Sequence, residues 1–138
     1  LPVAEKADGP SLKNDVAVAV ADVPAFDAAA RAAFAVAFPG SRPLVFGHLG
    51  DGNLHWNLRA PEGEDPGAWL AAHGAAARRL LHDTVVGFGG TISAEHGIGT
   101  AKAGELARLG DPGRLAAMRA IKAALDPDNI LNPGKLFA

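Results

Sequence analysis

His48-Leu49-Gly50-Asp51-Gly52-Asn53-Leu54-His55 sets a glycine-rich turn between two apolar runs, Leu44-Val45-Phe46 before it and Leu54-His55-Trp56 after it. Gly-Asp-Gly-Asn is strong turn chemistry, so the stretch predicts a β-hairpin. A turn centred between Asp51 and Gly52 puts His48 directly opposite His55, where cross-strand Cβ atoms stand roughly 4.5 to 5.5 Å apart. Asn57, two residues beyond His55, points to the same side. The predicted hairpin therefore offers two imidazoles and an amide on one face.

Working outward, Asp15-Val16-Ala17-Val18-Ala19-Val20-Ala21 carries valine at every second position, the period of a strand. Pro24 then opens an alanine-rich helix through about Phe38, and Pro39-Gly40 stops it. After Pro61 to Pro66 a second helix is expected from about Gly67 to Thr84, with Trp69, Leu70, Ala76, Leu80 and Leu81 apolar. Gly87-Phe88-Gly89-Gly90 leads into a short strand, Thr91-Ile92-Ser93-Ala94. The order β-α-β-β-α-β predicts an α+β fold, a ferredoxin-like sandwich with helices on one face of an antiparallel sheet. In that order the fourth strand pairs with the first. Residues 1–96 form this core. Residues 97–138 add helices at Thr100 to about Leu109 and Pro112 to about Leu125, the break Asp126-Pro127-Asp128-Asn129, and an apolar tail, Ile130 to Phe137, that has no period and wants a surface to lie on.

A chain of 138 residues is one ordinary domain, able to bury roughly two thirds of the surface its unfolded form exposes. With 49% hydrophobic residues and a formal charge of −2, neither disorder nor electrostatic affinity for nucleic acid is expected. The absence of cysteine excludes disulfides, thiol nucleophiles and thiolate metal sites, leaving a nitrogen and oxygen shell for any metal. No apolar run approaches the ~18 residues of a membrane span, so a cytoplasmic location is expected, with membrane contact at most peripheral. Leu1 stands where Met would begin a protein, and no signal peptide follows, which reads as a piece of a longer chain.

Two histidines opposed across a glycine turn suit metal or substrate binding, since neutral imidazole is the commonest metal ligand. Half-buried strand histidines are the ordinary alternative. A zinc centre needs at least three protein ligands, and Ser93-Ala94-Glu95-His96-Gly97-Ile98-Gly99 supplies a candidate where a strand meets a glycine turn. Glu95 is the natural third ligand; His96, pointing the other way, is free to act as a general base. A solvated Glu95 with an incidental neighbour is the alternative at this segment. Gly97-Ile98-Gly99 lacks the third glycine of a dinucleotide fingerprint, and Asp51-Gly52-Asn53 lacks the spaced acids of a calcium loop. His73 and His82, nine residues apart on the second helix, read as surface residues. Lys13 is a charged strand edge or a lysine poised for an anionic substrate.

Together with Leu125-Asp126-Pro127-Asp128-Asn129-Ile130-Leu131-Asn132-Pro133-Gly134-Lys135, the two histidine motifs resemble the C-terminal domain of the FAD-linked 2-hydroxy-acid oxidoreductases, the group of D-lactate dehydrogenases, the glycolate oxidase D subunit and D-2-hydroxyglutarate dehydrogenase. The three motifs are ordered and spread over most of the chain. Lys13-Asn14-Asp15-Val16 fits too, although the family more often has histidine between the lysine and the aspartate.

The resemblance implies a cap over the substrate, joined to an N-terminal FAD-binding domain that lies outside this chain. It implies metal ligands at His48, His55 and Glu95, substrate contacts at Lys13 and Asn57, and a catalytic base at His96. The cofactors would be FAD and a divalent ion: zinc first, with manganese or iron as alternatives. The substrate would be a D-2-hydroxy acid, oxidised to a 2-oxo acid with hydride passing to FAD. Electrons would go on to a quinone, a cytochrome or an electron-transfer flavoprotein, and a homodimer is an open partner state. Members that recognise a second substrate carboxylate carry a hydroxyl residue where this chain has Pro2, which argues against a hydroxyglutarate-type substrate. The rival reading is a stand-alone metal- or carboxylate-binding module without flavin chemistry.

Overall fold

Polar and apolar residues alternate along Asn53-Leu54-His55-Trp56-Asn57-Leu58, and a strand turns that alternation into two chemically different faces. The computed structural model describes residues 9–137. The chain divides into two units, Leu1–Glu95 and His96–Ala138. In the first, β1 (Asp15–Ala17), β2 (Arg42–His48) and β3 (Asn53–Arg59) form an antiparallel sheet in the order β1-β3-β2. Leu54, Trp56 and Leu58 of the central strand are buried with Val16 in the core.

Two helices complete that core. In α1 (Val23–Ala37) Phe26, Ala30 and Phe34 recur every fourth residue and are buried; in α2 (Pro66–Gly87) Ala77, Leu81 and Val85 do the same. The rings of Phe34 and Trp56 stand 4.8 Å apart, and the Trp56 indole Nε1–H donates to Asp27 Oδ1 at 2.9 Å, satisfying the polar end of a buried ring. Asp65 caps α2 by accepting the Ala68 amide at 2.7 Å, with Pro66 in the first helical turn. The architecture is α+β.

The structure corrects the expected sequence of strands in three places. The first strand ends at Ala17 instead of continuing to Ala21, because the Val18 amide turns to Gly52 O at 3.1 Å and a 3₁₀ turn follows at Val20–Asp22. The hairpin register differs by two: His48 faces Asn53, and Phe46 faces His55. Leu49–Asp51 forms a 3₁₀ turn closed by Gly52 at φ +65°, so four residues separate the paired ends and the turn is centred between Gly50 and Asp51 instead of between Asp51 and Gly52. The fourth strand is reduced to one antiparallel bridge, Ala17 with Thr91. Beyond it the Thr91 hydroxyl bonds locally to the Ser93 carbonyl and amide, at 3.3 and 3.4 Å, and this local closure competes with the ladder.

His82 is also corrected: it is fully buried, while His73 is exposed. Nine residues at 100° each place the two histidines on opposite sides of α2, and the His82 side is the one shared by Leu81 and Val85.

The second unit holds α3 (Ala103–Leu109) and α4 (Pro112–Leu125). Asp111 caps α4 through the Arg114 amide at 2.7 Å. Asp126, just past its end, receives the Ile130 and Leu131 amides at 3.0 Å each and the Lys122 ammonium. Lys122 also donates to Leu131 O at 2.7 Å. The tail is thereby ordered through polar contacts rather than through a period of its own.

Candidate functional site

The sheet face turned away from the core carries a cluster of polar side chains, flanked by Leu44 and Phe46 of β2. Directly paired residues of antiparallel strands share a face, so the pairings His48 with Asn53 and Asp15 with His55 gather these four side chains, with Asn57, on that side. Asp15, Asn53 and Asn57 are buried, His55 is half-buried and His48 is exposed. Asn14 stitches the edge: its backbone N–H donates to Asn57 Oδ1 at 3.1 Å and its side-chain Nδ2 donates to Trp56 O at 3.0 Å. The amide of Asn57 is thus fixed in orientation by the neighbouring strand.

Glu95 reaches this face from the segment after the Thr91 bridge. Its backbone N–H donates to Asp15 Oδ2 at 3.0 Å. Its Oε1 lies 3.0 Å from His48 Nδ1 and accepts from Asn53 Nδ2 as well. His48 and Glu95 side chains are 66% and 42% exposed, so the pair is open to an incoming ligand. His55 instead packs its ring against Phe46, with centroids 5.0 Å apart. Among the described residues no three His, Cys, Asp or Glu side chains are grouped to hold a metal ion. The structure therefore brings together two of the three expected ligands and leaves His55 on the same face beside them.

Two buried acceptors, Asn14 Oδ1 and Asn53 Oδ1, have no hydrogen-bond partner among the described residues. Unpaired buried acceptors call for a donor or a cation. Lys13 is exposed at the entry to β1, and His96, the residue after Glu95, is exposed at the start of the second unit. Pro2 lies outside the described residues.

Asn53 and Asp15 are site residues that spacing alone did not single out. The signal was present in the alternation of Asn53, His55 and Asn57, which makes the strand polar on one side at every second position. Elsewhere, the second unit contains an apolar hollow of about 460 Å³ lined by Met118, Ile121, Leu125, Leu131, Leu136 and Phe137 among others; none of the predicted site residues lines it.

Residues 1–136 match the family described as FAD linked oxidases, C-terminal domain. The chain is similar to the D-2-hydroxyglutarate dehydrogenase of Stutzerimonas stutzeri, 40% identical over 91% of this chain and 27% of the relative. It is similar to the D-lactate dehydrogenase of Archaeoglobus fulgidus, 42% identical over 70% of this chain and 20% of the relative. The glycolate oxidase subunit GlcD of Bacillus subtilis is 42% identical over 68% of this chain and 19% of the relative. The chain thus spans about a quarter or less of the length of these relatives.

Proposed function

Since the chain belongs to the family of FAD linked oxidase C-terminal domains, we propose that it is the substrate-binding cap of a flavin-dependent enzyme that oxidises a D-2-hydroxy acid to the 2-oxo acid. The observation that carries this reading is the polar cluster on the sheet, where His48, Asn53 and Glu95 meet beside Asp15, His55 and Asn57. The relatives named for D-2-hydroxyglutarate, D-lactate and glycolate oxidation share the hydroxy-acid chemistry and differ in side chain. Pro2 remains the argument against a second-carboxylate contact. The first unit is assigned a ferredoxin-like plan whose fourth strand is cut to the Ala17–Thr91 bridge, a reading supported by the β1-β3-β2 order with that bridge on β1.

In this reading Lys13 pairs with the substrate carboxylate, Asn57 orients it through an amide already fixed by Asn14, and His96 takes the hydroxyl proton as the carbon–oxygen bond becomes a carbonyl. FAD, held by the remainder of the protein, would supply the electron chemistry by accepting the α-hydrogen as hydride. A divalent ion, zinc or else manganese or iron, fits the donor chemistry of His48, His55 and Glu95, and the unpaired Asn53 oxygen supports a cation or hydroxyl donor on this face. When bound, such an ion polarises the substrate oxygen.

The test is anaerobic mixing of the full-length, flavin-loaded protein with D-lactate, D-2-hydroxyglutarate, glycolate and the L isomers. Bleaching of the oxidised flavin by at least one of the first three, and not by the L isomers, is expected. No bleaching with any of them would overturn the reading. His96→Asn should slow bleaching by about 10²–10⁴-fold, the usual worth of a positioned base, and an unchanged rate would remove His96 from that role.

A further inference from the structure

We infer that Asn53 and Asp15 are positioning residues that hold Glu95 in the orientation its ligand contacts require. Glu95 lies in a segment that belongs to no helix or strand, and its side chain is partly exposed. A carboxylate in that setting would sample several rotamers, and fixing them costs entropy that some other contact must offset. Two buried residues on the sheet supply the contacts. Asp15 Oδ2 receives the Glu95 backbone N–H at 3.0 Å and so fixes where the residue starts. Asn53 Nδ2 donates to Oε1, the same oxygen that His48 Nδ1 approaches at 3.0 Å, and so fixes where the carboxylate ends.

The placement follows from the register. Asn53 pairs with His48 and Asp15 pairs with His55, so each holding residue sits directly across a strand from one candidate histidine. Both contacts to the carboxylate land on Oε1, leaving Oε2 without a hydrogen bond among the described residues. Packing alone does not account for Asn53, because it is buried with its own Oδ1 unpartnered. An apolar side chain of similar volume would avoid that cost. The orphaned oxygen is the consequence of committing the amide's N–H to Glu95.

That a ligand benefits rests on the proposed function; the holding of Glu95 does not. The experiment therefore reads both in the 138-residue chain. Wild type, Asn53→Asp, Asn53→Ala and Asp15→Ala are compared by the long-range proton–nitrogen spectrum of the histidine side chains without metal, and by calorimetric titration with zinc chloride. Asn53→Asp keeps the volume and removes the N–H, so it separates the hydrogen bond from packing. The His48 Nδ1 resonance should move in every variant while exposed His73 stays in place. Zinc affinity should fall about 10–100-fold, the usual effect of losing a group that orients a ligand residue. If wild type binds no zinc, the divalent-ion reading fails and the His48 resonance decides the positioning role by itself. An unmoved His48 resonance in both Asn53 variants overturns the proposal, whatever zinc does.

Discussion

Gly52→Ala should damage the hairpin turn, and its cost can be built from the backbone conformation and from the bond that the close approach breaks. Gly52 has φ +65°, a conformation that costs a residue with a Cβ about 1–2 kcal/mol. The added Cβ would lie 1.9 Å from Val18 O, against backbone rather than a movable side chain. Relief requires the turn and β1 to separate, which gives up the bond from Val18 N to Gly52 O, about 0.5–1.5 kcal/mol. The sum is about 1.5–3.5 kcal/mol, reduced by a few tenths because alanine also restricts the unfolded chain. Two controls isolate the contributions. Gly63 has φ +86° and open space around its Cβ position, so Gly63→Ala should cost about 1 kcal/mol from conformation alone. Gly50 is in the same turn with neither feature, so Gly50→Ala should stay within about 0.5 kcal/mol of wild type. Both tryptophans, Trp56 and Trp69, lie buried in the first unit, so urea unfolding followed by tryptophan fluorescence reports that unit. A Gly52→Ala midpoint equal to that of Gly63→Ala would refute the reasoning, because the backbone approach would then contribute nothing.

Asp27→Ala should destabilise the first unit by about 1–3 kcal/mol, the cost of stranding a buried donor, because Trp56 is fully buried and its N–H bonds to Asp27. Asp27→Asn, which keeps an acceptor, should lose less in the same fluorescence assay; equal losses would assign the effect to something other than the indole bond. In the second unit, the Lys122 ammonium holds the Asp126 carboxyl below the usual carboxylate range, against the opposing effect of burial and with help from the Leu131 and Ile130 amides. The folded state therefore favours the ionised form. Its contribution is complete above the ordinary value of about 3.9 and is lost as pH falls from there through the lowered folded value. Exchange protection of the Ile130 and Leu131 amides should accordingly persist down to about pH 4 and decline below it, and loss near pH 6 would point to a different group.

Much of this fold is written locally. Asp65-Pro66 and Asp111-Pro112 announce two helix starts, and the capping bonds are there; α4 begins and ends at the residues the sequence indicates. The tail was legible only as apolar, because its order comes from contacts with no sequence period: Asp126 meets two amides and an ammonium, the Leu136 amide donates to Gly99 O, and Arg119 lies over the Phe137 ring. The hairpin register was not legible, since it depends on Gly52 O meeting Val18 N, a contact between elements that turn statistics cannot see. The shift is by two residues, and a side-chain period of two keeps His48 and His55 on the same face. His82 escaped for a different reason: hydropathy gives no warning that a polar ring will occupy a core position.

The candidate site depends on the place where the ideal ladder fails. Continuing the Ala17–Thr91 bridge in register would pair Asp15 with Ser93 and set Glu95 beside Lys13, out along β1 and away from the hairpin. Instead Thr91 closes on Ser93, and the Glu95 N–H that a longer strand would have committed to the ladder or left to solvent goes to the Asp15 side chain. That diversion carries the carboxylate across to Asn53 and His48. A regular four-stranded sheet would gain ladder bonds at the cost of this convergence. Departure from local regularity is most readily tolerated where it assembles a site, so the shortened fourth strand and the Glu95 cluster have one physical cause.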